Sequence, residues 1–175
     1  MNLPGLQEIR LALFLEYMAL PAESRKRDNS VNFGSDKLGV GGVSGCCACN
    51  LLLKKGNERY GIQEHMPNNL DVIVECAKEE YEKHPEAHNY DSAQVVMLYP
   101  EGMLHLLAST FSNPIGANEH PDEKLNEIIT KRWQKAFPSI EVDLVPYRVR
   151  PDIVIFNVQE EKWKAANCSG KFKSR

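Results

Sequence analysis

The sequence predicts an α+β domain, or a layered α/β/β domain, rich in antiparallel pairing. Three observations point that way. Strand pairs joined by short turns alternate with amphipathic helices, unlike the strict strand-helix alternation of a doubly wound sheet. Hydrophobic residues make up 42% and charged residues 26% of the chain, enough for a folded core. Its 175 residues match one ordinary domain, with no internal repeat or low-complexity segment.

Taken in order, Pro4 suits a first helical turn, and Leu6, Ile9, Leu13 and Tyr17 recur on one side of a helix that Pro21 ends. Polar residues from Glu23 to Asn32 read as a linker or surface loop. The stretch Gly34 to Gly45 is glycine-rich, which permits tight turns and close backbone approach. It has neither the phosphate-loop ending nor the spacing of a dinucleotide fingerprint. Cys46 to Leu53 and Arg59 to His65 read as a hairpin around Lys54-Lys55-Gly56-Asn57. Asn68 or Asn69 can cap a helix carrying Leu70, Ile73, Ala77 and Tyr81 inward. Gln94 to Tyr99 and Met103 to Ala108 read as a second hairpin through Pro100-Glu101-Gly102. Pro121 and Asp122 open a helix with Leu125, Ile128, Ile129, Trp133 and Ala136 in its stripe, ended by Pro138. Strands at Ile140 to Val145 and Asp152 to Val158 follow. The expected organisation is an amino-terminal helix and linker over 1–30, one α/β domain over 31–162, and a loosely ordered, polar, basic tail over 163–175.

The formal net charge is -3, and the longest internal basic cluster is Arg25-Lys26-Arg27, so nucleic acid is not expected as a partner. No apolar run approaches the ~18 residues that suggest a membrane span. The opening segment carries Glu8, Arg10 and Glu16 and reads as an amphipathic helix rather than a signal peptide. The five cysteines, at 46, 47, 49, 76 and 168, are odd in number and three are crowded together, which reads as reduced thiols.

The chemically informative segments are Val43-Ser44-Gly45-Cys46-Cys47-Ala48-Cys49 and Gln63-Glu64-His65-Met66-Pro67. With Lys55-Gly56 as turn residues, Lys54 pairs with Asn57 and, counting on, Cys46 falls opposite His65. Opposed residues share a face with β-carbons about 4.5–5.5 Å apart, so a thiol and an imidazole can interact. A cysteine attacks as its thiolate, and an imidazole can take the proton. Gly45, with Ser44, lets the chain turn and aim N–H groups at a developing oxyanion. The group that orients His65 stays open: Ser44, a main-chain carbonyl or a distant polar residue. Gln63 shares the His65 face and could contact substrate or be a satisfied amide. Cys47 and Cys49 alternate away and read as core, as does Cys76, while Glu64 faces away from His65. Cys46, Cys49 and His65 make a weak zinc set because Cys46 and Cys49 have opposite parity. His84, His88 and His120 read as exposed, and His105 as a core histidine within a strand.

Gly45-Cys46 entering one strand and His65-Met66-Pro67 closing the next resemble the CheD-type chemoreceptor glutamine deamidases. Val43-Ser44-Gly45-Cys46 is similar to the Leu-Ser-Gly-Cys of the related toxins, cytotoxic necrotizing factor and Burkholderia lethal factor 1. Asn113-Pro114-Ile115-Gly116 before a helix resembles a CheD segment too, and the likeness spans Val31 to Asn157. The resemblance implies a β-sandwich flanked by helices. It also implies a protein glutamine as substrate, Cys46 as nucleophile and His65 as base, with no metal or organic cofactor. Asn68 and Asn113 would then shape substrate access. One departure stands out: where the family has threonine six positions before the cysteine, this chain has Val40. The implied setting is the cytoplasm, with a receptor as substrate, or a host cytosol reached by a toxin or effector. Val40 and the additional amino-terminal helix favour the effector.

Overall fold

The computed structural model describes residues 5–173 apart from 28 and 111, so Pro4 lies outside the described residues. Helix α1 (Leu6–Ala19) is followed by β1 (Arg25–Lys26), β2 (Ser30–Gly34), β3 (Lys37–Val43), β4 (Cys47–Lys55) and β5 (Glu58–Met66). Then come α2 (Leu70–Glu82), β6 (Ser92–Pro100), α3 (Leu104–Ala108), α4 (Asp122–Ala136), β7 (Glu141–Tyr147), β8 (Asp152–Asn157), β9 (Lys162–Ala165) and β10 (Ser169–Lys171). Two mostly antiparallel five-stranded sheets result. Sheet A has the order β1-β3-β8-β9-β10, and sheet B the order β2-β5-β4-β6-β7. The mixed α+β class is as the strand-pair pattern predicts.

Alternation along β4 explains the layering. Cys47, Cys49, Leu51 and Leu53 face one way, into a core closed by α2, α3 and α4. Ala48 and Leu52 face the other way, into a core shared with Leu38, Val40, Val154 and Phe156 of sheet A. Helix α1 seals the outer face of sheet A through Leu6, Leu13, Tyr17 and Leu20 against Ile155 and Ala166. Its close seat depends on Gly39, where a β-carbon would lie 2.8 Å from both Leu20 and Tyr17. Ile9 departs from the expected buried stripe and is exposed.

Four expectations are corrected. Met103 to Ala108 is not the second strand of a hairpin. It contains helix α3, and the strand beside β6 is β7, in parallel register from Gln94↔Glu141 onward. His105 therefore sits half-buried on a helix. The region 163–175 is no loose tail within its described part, because β9 and β10 extend sheet A and bury Trp163, Ala165 and Phe172. Nor do residues 1–30 stand apart: α1 covers sheet A, β1 pairs with β3, and β2 begins at Ser30 in sheet B. His84 and His88 are half-buried, with His84 stacked on Phe33 at a 3.5 Å centroid separation, while His120 is exposed.

Candidate active site

The turn of the β4–β5 hairpin sets the geometry. It uses Gly56-Asn57, with Gly56 at φ 57°, rather than Lys55-Gly56, so Lys55 pairs with Glu58. The ladder is displaced by two residues, and His65 opposes Ala48 instead of Cys46. A two-residue shift preserves the face. Cys46 immediately precedes the ladder, whose first pair is Cys47↔Met66, so it lies at the same end of the hairpin as His65.

His65 points between the sheets and is 1% exposed. Its Nδ1 lies 3.0 Å from the carbonyl oxygen of Gly41, on β3 of the opposite sheet. A carbonyl only accepts, so Nδ1 carries the proton and Nε2 is the basic nitrogen. Among the orienting groups left open, this is the main-chain carbonyl, not Ser44. Val40, next to Gly41, is fully buried in the inter-sheet core and supplies no hydroxyl.

Cys46 is half-buried in the turn from β3 to β4. That turn needs glycine before it, since Gly45 has φ 115°. It is held from two sides. Tyr147, at the end of β7, accepts from the Gly45 N–H at 3.0 Å and donates to the Cys46 carbonyl at 2.7 Å. Asn68, after β5, donates Nδ2 to the Gly45 carbonyl at 2.8 Å. Burial pushes the Tyr147 phenol up to about 12, so it stays protonated and able to donate. With its N–H bonded to Tyr147, Gly45 supports the turn. Ser44 is exposed on the rim of a cleft of about 520 Å³ that is also lined by Gly45, Pro100, Glu101, Tyr147, Arg148 and Arg150.

The other candidates separate. Gln63 is fully buried, donating Nε2 to Asn50 Oδ1 at 2.9 Å and to the Val154 carbonyl at 3.2 Å. It ties the two sheets together and is closed off from solvent. Asn113 is exposed and its N–H donates to Thr110 Oγ1 at 3.0 Å, within its own loop. No described bond joins it to the Cys46 turn. Tyr147 went unnoticed in the sequence, where nothing marks a phenol 102 positions from Gly45 as its partner.

Across sheet B lies a second polar group. Cys47 and Cys49 are buried with their sulfurs 3.5 Å apart, and Glu64 pairs with Cys49 in the ladder. Burial raises the Glu64 carboxyl well above the usual carboxylate range, and burial with the neighbouring Cys47 raises the Cys49 thiol. The Cys49 thiol is thereby suppressed as a nucleophile, and both thiols face away from His65. Among the described residues, no group of three or more His, Cys, Asp or Glu side chains could hold a metal ion.

Compared with known proteins, the chain matches no protein-family model and no curated sequence.

Proposed function

We propose that the chain is a cysteine-dependent amidohydrolase that deamidates a glutamine side chain of a protein substrate. The observation carrying this reading is the 3.0 Å contact of His65 Nδ1 with the Gly41 carbonyl, which presents Nε2 as the base on the face of sheet B that leads to Cys46. The Gly-Cys turn, braced by Tyr147 and Asn68, supports it.

In this mechanism His65 Nε2 takes the Cys46 proton and the thiolate attacks the glutamine Cδ. The main-chain N–H of Cys46 meets the oxyanion. The tetrahedral intermediate collapses, the C–N bond breaks, and His65 returns its proton to the departing ammonia. Water, deprotonated by His65, adds to the thioester. The C–S bond then breaks, leaving glutamate and the free thiol. One water is consumed and one ammonia released, and no step requires a metal or organic cofactor. Val40 and the additional amino-terminal helix, as departures from the CheD pattern, favour a toxin or effector acting on a host protein over a receptor-modifying enzyme.

The test starts with iodoacetamide labelling of each cysteine between pH 5 and 9, read by peptide mass spectrometry. Cys46 should label fastest at pH 6, where an ordinary thiol is largely protonated, and His65→Ala should abolish the preference without loss of fold by circular dichroism. Candidate substrates are then screened for a one-dalton gain at glutamine that Cys46→Ala removes. Equal labelling of wild type and His65→Ala overturns the catalytic pair and leaves a protein-binding domain with a structural Gly-Cys turn.

A further inference from the structure

Helix α1 buries one stripe and exposes another. Leu11 and Leu15 are each 59% exposed, Met18 47% and Phe14 46%, spaced as neighbours on one outward face. Scattered surface leucines are ordinary, but four large apolar side chains in one helical stripe mark a contact surface. No helix among the described residues is long and apolar enough to cross a membrane, so this stripe could only lie on a surface.

Charge identifies the occupant. The guanidinium of Arg25 donates to the Met18 carbonyl at 3.2 Å, setting a cation at the end of the stripe. Tyr17 fixes the following segment by donating to the Lys26 carbonyl at 2.7 Å, and Lys26 and Arg27 are exposed beyond it. On the other flank, Lys37, Lys162, Lys164 and Lys171 line a cleft on the outer face of sheet A beside Glu16. Glu16 meets Lys37 and Lys164, and Glu160 meets Lys162. The acidic groups Glu8 and Glu23 are also exposed here. Segments 1–44 and 148–175, which contain α1 and the strands of sheet A along with β2, hold twelve basic and eight acidic residues, whereas 45–147 holds nine and sixteen. The excess of positive charge thus falls in the segments that contain α1 and its apolar stripe.

We propose that this side docks on an anionic lipid surface. Leu11, Phe14, Leu15 and Met18 sink to the headgroup–acyl boundary, while Arg25, Lys26, Arg27 and the sheet-A lysines meet the anionic headgroups. A second copy would have to bring two surfaces of like net charge together, which disfavours it as the occupant. The inference does not depend on the chemistry of Cys46.

The test is sedimentation of the full chain with phosphatidylcholine vesicles, with and without phosphatidylserine. Binding should require phosphatidylserine, weaken with added salt, and fall about tenfold or more in both Leu11→Asp/Leu15→Asp and Lys26→Glu/Arg27→Glu. Circular dichroism establishes that both double variants are folded. No binding at low salt, equal binding to neutral vesicles, or undiminished binding by either folded variant overturns the proposal. So does a concentration-dependent dimer in sedimentation velocity that Leu11→Asp/Leu15→Asp abolishes, since the occupant would then be a second copy.

Discussion

Tyr147 makes two bonds with one hydroxyl, and a single substitution removes both. Tyr147→Phe keeps the ring and removes both the Gly45 and the Cys46 bonds. At about 1 kcal/mol per net hydrogen bond, denaturant unfolding should report a loss of about 1–3 kcal/mol. Iodoacetamide labelling of Cys46 should also slow, because the turn that aims the thiol loosens. Unchanged stability and labelling would remove Tyr147 from the site. Glu64 makes a different prediction. Its folded carboxyl binds a proton more tightly than the unfolded one, because burial disfavours the charge. Its stabilising effect is full below the unfolded value, about 4.3, and is lost as pH rises through the raised folded value. Glu64→Gln keeps the shape without the titration. The stability difference, variant minus wild type, should grow as pH rises from 5 to 9, by at most about 1.4 kcal/mol per pH unit. A flat difference across that range would mean that Glu64 titrates normally.

Strands β9 and β10 carry the strongest prediction about an element, since their composition reads as a soluble tail. Trp163 and Phe172 are buried against the inter-sheet core, and burial of each stabilises by roughly 1.5–3 kcal/mol. Gln94, buried on β6 of sheet B, exchanges two 2.9 Å bonds with the main chain of Lys173. Removing 163–175 uncovers the inner core, leaves β8 as an edge and strands the Gln94 amide. These losses reach much of the roughly 5–15 kcal/mol that holds a small domain together. The truncated chain should show no cooperative thermal transition by far-UV circular dichroism, and a sharp transition near that of wild type would refute the assignment. The contrast with α2 shows what local sequence conveys. Asn69 caps α2 through the Val72 N–H, and Leu70, Ile73 and Ala77 are buried at helical spacing, as the periodicity predicts. Lys162, Trp163, Lys164 and Ala165 alternate as a half-buried strand should, but four residues among Lys, Asn and Ser carry too little periodic signal to outweigh composition. In the site, the hairpin itself was legible, while its register, two residues away from the one that sets Cys46 opposite His65, depended on turn geometry. The Gly41 carbonyl and Tyr147 were out of reach because they arrive from other strands.

At the scale of the whole molecule, the question is whether four layers behave as one unit. Sheet B supplies a face to each of two cores, with Leu51 and Leu53 on the helix side and Ala48 and Leu52 toward sheet A. Peeling off sheet A therefore exposes the back of the sheet that α2 and α4 need, and removing the helices exposes its front. Gln63 adds a buried polar tie by donating across the gap to Val154. The two tryptophans of the chain fall one in each core: Trp133 donates to the Met97 sulfur at 3.0 Å on the helix side, and Trp163 packs between the sheets. Trp163→Phe and Trp133→Phe each leave one reporter. Such core changes cost on the order of 0.5–3 kcal/mol, so midpoints should differ between the variants. Within each variant, however, tryptophan fluorescence and far-UV circular dichroism should fall on one denaturant curve, because both cores dissolve together. If the Trp163 signal moved at lower denaturant than the circular dichroism, α1 and sheet A would be a separately melting layer. Coincidence would place His65 and the Gly41 carbonyl, which come from different sheets, in a single cooperative structure. The contact between His65 Nδ1 and the Gly41 carbonyl would then be lost only when the whole fold is lost.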